Sequence, residues 1–193
     1  FWRKFYKKIN YNFDNNLTRS FIVNNIIDKK KYETYLEIGC DKNILFNSVK
    51  IKKKIGIDPV SGGNIRMTSD EFFKNNKDIF DLIFIDGLHQ YRQVKRDIYN
   101  SLKFLNQNGV ILLHDCMLCS FIRQASKRSS NIWNGDVWKN ITEFRTLDNV
   151  GTYTIYADHG IGLIFKRKNR NKLLLNIDNF SKLKFKNYYK DRK

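Results

Sequence analysis

The chain has 193 residues, of which 41% are hydrophobic and 15% aromatic, with 36 Lys and Arg against 19 Asp and Glu. That is one domain's length with enough apolar side chain to bury a core, which excludes a disordered chain. No apolar run approaches the roughly 20 residues of a membrane span, and Phe1 opens a basic aromatic segment instead of a signal peptide.

The formal charge of +17 makes a nucleic acid one candidate partner. The bias towards Lys, Asn and Ile is that of AT-rich coding sequence, however. The basic N-terminus (Arg3, Lys4, Lys7, Lys8) and the runs over 50–54 and 166–193 therefore read chiefly as solvated surface. Cys40, Cys116 and Cys119 are too few and too unevenly placed for a disulfide framework, which points to a reducing, cytoplasmic setting. Cys116-x-x-Cys119 lacks the second pair that a zinc site needs.

Helical spacing over 17–30 (Leu17, Phe21, Ile22, Ile26) predicts a helix leading into a first strand at 35–39. A short helix near 43–50 and a strand at 54–57 follow. Ser69 or Asp70 is expected to cap a short helix, and a strand follows at 81–85. Val94, Ile98, Leu102 and Leu105 form one stripe of a helix starting at Tyr91, which Asn106 to Gly109 stops before a strand at 110–113. A helix over 135–145 precedes strands at 153–156 and 162–165. The connection between these two is too short for a parallel crossover, so they form an antiparallel hairpin.

The pattern predicts an α/β, Rossmann-like doubly wound sheet, mostly parallel with one antiparallel strand at the C-terminal hairpin. A single domain spans 1–193, with 1–30 as a helical lead-in and 167–193 as a basic C-terminal extension. A first residue that is Phe and not Met is what a domain excised from a longer chain would show.

Each parallel strand delivers polar groups at its C-terminal end: Glu37 and Gly39, Asp58, Asp86-Gly87-Leu-His89, and His114-Asp115. Ligands of open α/β sheets bind in the crevice beyond those ends. Gly39 lets backbone approach a ligand, while Glu37 can accept from a cationic amine and Asp58 from a pair of ribose hydroxyls. A G-x-G-x-x-G turn is absent, since Asp41 and Asn43 stand where further glycines would, and that excludes a nicotinamide cofactor.

Phe84-Ile-Asp86-Gly87-Leu-His89-Gln-Tyr91 with Val94 and Asp97, then Leu113-His114-Asp115-Cys116, then Trp133-Asn134-Gly135-Asp136-Val137-Trp138-Lys139 resemble the class I S-adenosylmethionine-dependent methyltransferases. The likeness runs from about Tyr35 to Phe165 and is to a small subgroup associated with glycan and polysaccharide biosynthesis. It implies O-methylation of a sugar hydroxyl on a glycan or glycan precursor, with S-adenosylmethionine as donor and S-adenosylhomocysteine as product. The cofactor set it implies is Glu37, Gly39, Cys40, Asn43, Asp58, Pro59, Ser69, Asp70 and Asp86. Tyr91, Trp133, Asn134 and Asp136 fall on the substrate side.

Methyl transfer to an oxygen needs a base near the acceptor. His89 is the first candidate, with Asp115 and His114 as competitors. Related enzymes hold magnesium with aspartates after two adjacent strands. Here Cys116 stands where a third oxygen ligand is needed, so no metal is expected. An RNA methyltransferase using the basic surface, and a non-catalytic cofactor-binding domain, are the alternatives.

Overall fold

The computed structural model describes residues 8–125, 128, 133–175 and 177–191. Arg3, Lys4 and Lys7 of the basic N-terminus lie outside them. The elements run α1 (Arg19–Lys30), β1 (Thr34–Ile38), α2 (Ile44–Ser48), β2 (Lys53–Ile57), α3 (Ser69–Asn75), β3 (Phe80–Ile85), α4 (Tyr91–Phe104), β4 (Leu105–Leu113), α5 (Trp138–Phe144), β5 (Val150–Ile155), β6 (Ile161–Lys166) and α6 (Phe185–Asp191). No helix among the described residues is long and apolar enough to cross a membrane.

Six strands form one sheet in the order β2-β1-β3-β4-β6-β5. β2, β1, β3 and β4 are parallel, while β6 is antiparallel to both β4 and β5. The one reversed strand, last in sequence, is thus inserted between β4 and β5. The α/β Rossmann-like sheet expected from the sequence is the one observed.

Strand alternation sorts side chains between two layers. Leu36, Ile38, Ile83, Ile85, Ile111 and Leu113 face α3, α4 and α5, joining Phe72, Phe73, Val94, Ile98, Ile141 and Phe144 in one core. Tyr35, Leu82, Phe84, Val110 and Leu112 face α1 and α2, against Ile22, Val23, Ile27, Leu45 and Phe46. The two central strands are buried on both faces, which is why their sequence is continuously apolar. Leu82, Ile83, Phe84 and Ile85 are all at most 1% exposed, and each such side chain contributes about 1.5–3 kcal/mol on burial. The register carries past the strand ends: Asp86 follows Phe84, and His114 follows Leu112, towards the α1 side.

Several boundaries differ from expectation. The cap of α3 is Thr68, not Ser69 or Asp70, in a capping box with Glu71. α5 starts at Trp138 and not Gly135, whose φ of +59° sets a left-handed turn before the helix can begin. The basic extension is partly built into the fold. Phe185 joins Ile9, Leu118 and Trp138 in a third core cluster, and the Leu118 N–H donates to the Tyr188 hydroxyl at 3.1 Å.

Candidate active site

A cleft of about 700 Å³ opens beyond the C-terminal ends of β1 to β4, lined by Gly39, Asp58, Pro59, Ser69, Asp70, Asp86, His89, His114, Asp115 and Trp133 among others. Gly39 (φ +86°) is there because β1 and β3 converge: a Cβ on it would lie 2.4 Å from Gly87 Cα and 2.5 Å from the Asp86 carbonyl oxygen. The Gly39 cradle is therefore close-packed backbone at the floor of the cleft, with no room for a side chain.

Asp58 is held where β2 ends. Its Oδ2 accepts from the N–H groups of Cys40 (3.0 Å) and Asp41 (3.2 Å), and its Oδ1 from those of Val60 (2.8 Å) and Ser61 (2.9 Å). Burial alone would raise its pKa, but these four bonds bring it below the usual carboxylate value. Asp58 thus shapes both loops around the cleft as well as lining it. Ser69 donates to Asp97 at 2.6 Å, and Gln93 donates to both, forming a polar patch along the wall. Burial raises the Asp97 carboxyl to about 6.

Glu37, Cys40 and Asn43 are absent from the lining. Residues 35 and 37 share a strand face, so Glu37 is buried under α1 and accepts from the Tyr35 hydroxyl at 2.6 Å. Burial pushes its carboxyl up to about 7. Cys40 is buried, its thiol directed at the carbonyls of Glu37 and Ile57. The Asn43 side chain accepts from the Gly63 N–H, bracing a neighbouring loop. These three brace the loop after β1 from behind and do not line the cleft.

On the acceptor side only Trp133 of the four expected residues lines the cleft. Its ring stacks on His89 at 5.0 Å between centroids. Asn134 is fully buried and donates to Asp115 Oδ1 at 2.6 Å. Asp136 accepts from the Tyr91 N–H and pairs with Lys139 at 3.0 Å, while the Tyr91 hydroxyl donates to Glu143. Tyr91, Asn134 and Asp136 are consequently scaffold: they fix the 133–137 turn over His89. Gly135 packs so tightly there that a Cβ would collide with the His89 carbonyl.

The half-buried His89 and the buried His114 have acceptors at both ring nitrogens. His89 Nε2 lies 3.2 Å from Asp86 Oδ1, and its Nδ1 lies 3.1 Å from Asp115 Oδ2 and 2.9 Å from the Trp133 carbonyl. His114 Nδ1 lies 3.1 Å from Asp86 Oδ1, and its Nε2 lies 3.2 Å from Asp158 Oδ1. Burial opposes charge on each ring, but the adjoining carboxylates outweigh it, raising His89 above the ordinary imidazole pKa and His114 well above it. Asp86 is correspondingly driven well below the carboxylate range: burial opposes this, and the His114 charge leads the effects that overcome it. Both His89 nitrogens face acceptor oxygens in this geometry, an arrangement that favours the charged ring over the neutral one expected from sequence.

Two residues of the cluster were not anticipated. Arg19, the first residue of α1, donates from Nη1 to Asp86 Oδ2 at 2.6 Å and from Nε and Nη2 to Asp158 at 2.9 and 3.1 Å. Asp158 sits in the β5–β6 turn at φ +42°. The only sequence signal for it was its place in the Ala157-Asp-His-Gly160 connection, where a tight turn is all that spacing reveals. Cys116 Sγ donates back to the Leu113 carbonyl and takes no part in the cleft.

Residues 53–116 match the family model described as a methyltransferase domain. Protein R132 of Acanthamoeba polyphaga mimivirus is 29% identical over 57% of this chain, and the chain spans just under two thirds of that relative, 66%. Among solved structures, the O-methyltransferase from Bacillus cereus in complex with S-adenosylhomocysteine superposes with a TM-score of 0.57 at 12% identity, covering 80% of this chain and 83% of its own. The O-methyltransferase TomG from Streptomyces achromogenes, in complex with S-adenosylmethionine, superposes with a TM-score of 0.53 at 10% identity, covering 77% and 79%. The matched segment runs from β2 through β3 to the Asp115 turn, and the fold around it is similar to that of O-methyltransferases solved with S-adenosylhomocysteine or S-adenosylmethionine bound.

Proposed function

We propose that the protein transfers the methyl group of S-adenosylmethionine to a hydroxyl oxygen of a small uncharged acceptor, a sugar hydroxyl being the preferred class. The single observation that carries this reading is the cluster of Asp86, His89, His114 and Asp115 facing the cleft next to the Gly39 cradle. Bound there, the cofactor supplies an electrophilic methyl on a cationic sulfur.

The chain's own part is to hold charge and take a proton. Asp86, facing the donors of Arg19, His114 and His89, offsets positive charge at the end of β3. Asp115 is the proton acceptor in this reading. Its Oδ2 faces His89 and its Oδ1 accepts from Asn134, so the carboxylate is fixed while retaining lone pairs for an acceptor hydroxyl. His89 and His114 orient it. Trp133 supplies an apolar wall.

The cleft's lining argues against a polyanion. Asp41, Asp58, Asp70, Asp86, Asp97 and Asp115 outnumber Arg19 and Arg128 there, and a phosphate chain would meet repulsion in spite of the overall charge. Methyl transfer from radiolabelled S-adenosylmethionine to a panel of sugars, phenols and RNA tests the assignment. Labelled methyl ether on a sugar is the expected product. RNA labelling would replace the acceptor class, and Asp115→Asn with undiminished rate would remove Asp115 as base. Retained affinity for S-adenosylhomocysteine shows that the variant is folded.

A further inference from the structure

We propose that Arg19 is the resident cation of this site, clamping Asp86 and Asp158 and excluding a divalent metal ion from the carboxylate cluster. Ligand atoms of Asp86, His114 and Asp115 lie within 4.8 Å of one another, a spacing that suits a metal ion. The chemistry of those atoms does not. A hard divalent cation needs several oxygen lone pairs in near-octahedral geometry, and a histidine ligand must be unprotonated. Both nitrogens of His114 point at carboxylate oxygens, which calls for N–H on each and leaves no lone pair for a metal. Asp115 is shared between the Asn134 amide and His89.

The guanidinium occupies the remaining role. It meets Asp158 through two parallel N–H···O bonds and Asp86 through a third. Arg19, Asp86, His114 and Asp158 thereby close a ring of alternating cations and carboxylates. A planar fork makes such a double contact and a compact ammonium does not. Delivery is built into the backbone: the Arg19 N–H itself donates to Asp158 Oδ2 at 2.8 Å, fixing the start of α1 on the β5–β6 turn. Asp86 lies in the strand register that faces α1, so the first residue of that helix is the one that reaches it. Three of the five guanidinium N–H groups are committed this way, leaving two for a ligand in the cleft that Arg19 lines. Arg19 acts through the carboxylates it holds and is a positioning residue.

The test is Mn²⁺ binding to the full chain, followed by electron paramagnetic resonance, for wild type, Arg19→Met and Arg19→Lys, with a thermal melt to verify folding. Removing the guanidinium charge from beside the cluster relieves repulsion of the ion, so Arg19→Met binds Mn²⁺ at least about tenfold more tightly than wild type. Arg19→Lys, which keeps the charge, stays close to wild type. If Arg19→Met does not fold, Arg19→Gln, neutral and hydrogen bonding, takes its place in the comparison. Tight Mn²⁺ binding by wild type that is lost in Asp86→Asn overturns the proposal. So does a folded neutral variant that binds no better than wild type, or Arg19→Lys binding as well as the neutral variant. The readout needs no acceptor, so a wrong acceptor class leaves this inference untouched, and its failure leaves methyl transfer untouched.

Discussion

Replacing Asp86 by Asn removes the carboxylate on which three donor side chains converge. Asn is nearly isosteric but offers one acceptor oxygen and turns an NH₂ towards groups that only donate. Arg19 at 2.6 Å, His114 at 3.1 Å and His89 at 3.2 Å would share that single oxygen. Breaking a buried ion pair from one side costs about 3–5 kcal/mol. With the Asp86 side chain 17% exposed, the lower end applies, about 3 kcal/mol. At roughly 2–4 °C per kcal/mol for a chain of this size, Asp86→Asn should lower Tm by about 6–12 °C at pH 7.

The gap between the two proteins should narrow at both pH extremes. His114 has a raised pKa in the folded protein, so its contribution is fully present below the ordinary imidazole value and fades as pH rises through the folded-state value. Asp86 has a lowered pKa, so its contribution is present above the ordinary carboxylate value and fades as pH falls through the folded-state value. Differential scanning calorimetry across pH measures both limits, and calorimetric titration with S-adenosylhomocysteine reports the loss of cofactor affinity. A Tm within about 2 °C of wild type at pH 7 would refute the claim that the ring is an energetically coupled unit.

Three further outcomes are expected. Glu37 is pushed up to about 7 by burial, so wild type should lose stability as pH rises from the ordinary glutamate value towards 7; Glu37→Gln should flatten that part of the Tm curve, and parallel curves would remove Glu37 as its source. Gly39→Ala should abolish cofactor binding measured by calorimetry and lower Tm, because the new Cβ would overlap the Asp86 carbonyl and Gly87 at 2.4–2.5 Å; unimpaired binding would show that the cradle is not the cofactor floor. Phe185→Ala should cost about 3–5 kcal/mol by chemical denaturation, since Phe185 is only 6% exposed among Ile9, Leu118 and Trp138; a cost below about 1 kcal/mol would show that residues 185–191 are dispensable to the fold.

The sheet was legible because its strands obey a local rule: short apolar runs that end in Gly or a charged residue, with turn signals between them. The Asp81 to Asp86 stretch carries that rule, and the aspartate at its end does line the cleft. Sequence was less informative about which polar group turns inward. Glu37 stands two residues from Tyr35, and strand alternation sends both under α1. Asn134 and Asp136 have side chains suited to sugar hydroxyls, yet each is already committed to a neighbour in the protein. Arg19 was invisible because its partners lie 67 and 139 residues away in sequence. No local spacing records a contact of that kind.

The third core cluster bears on how the site is assembled. Ile9 donates its N–H to the Cys119 carbonyl at 2.7 Å, Leu118 donates to Tyr188, and the Tyr11 and Tyr188 hydroxyls meet at 2.6 Å across a sequence separation of 177. The loop that leaves Asp115 is therefore clasped between two segments from opposite ends of the described chain. Loop closure over such a span is entropically expensive and slow compared with pairing of neighbouring strands. A fragment containing only β1 to β4 would form the Gly39 cradle but leave the Asp115 loop unclasped, so cofactor binding should appear earlier in refolding than catalytic competence.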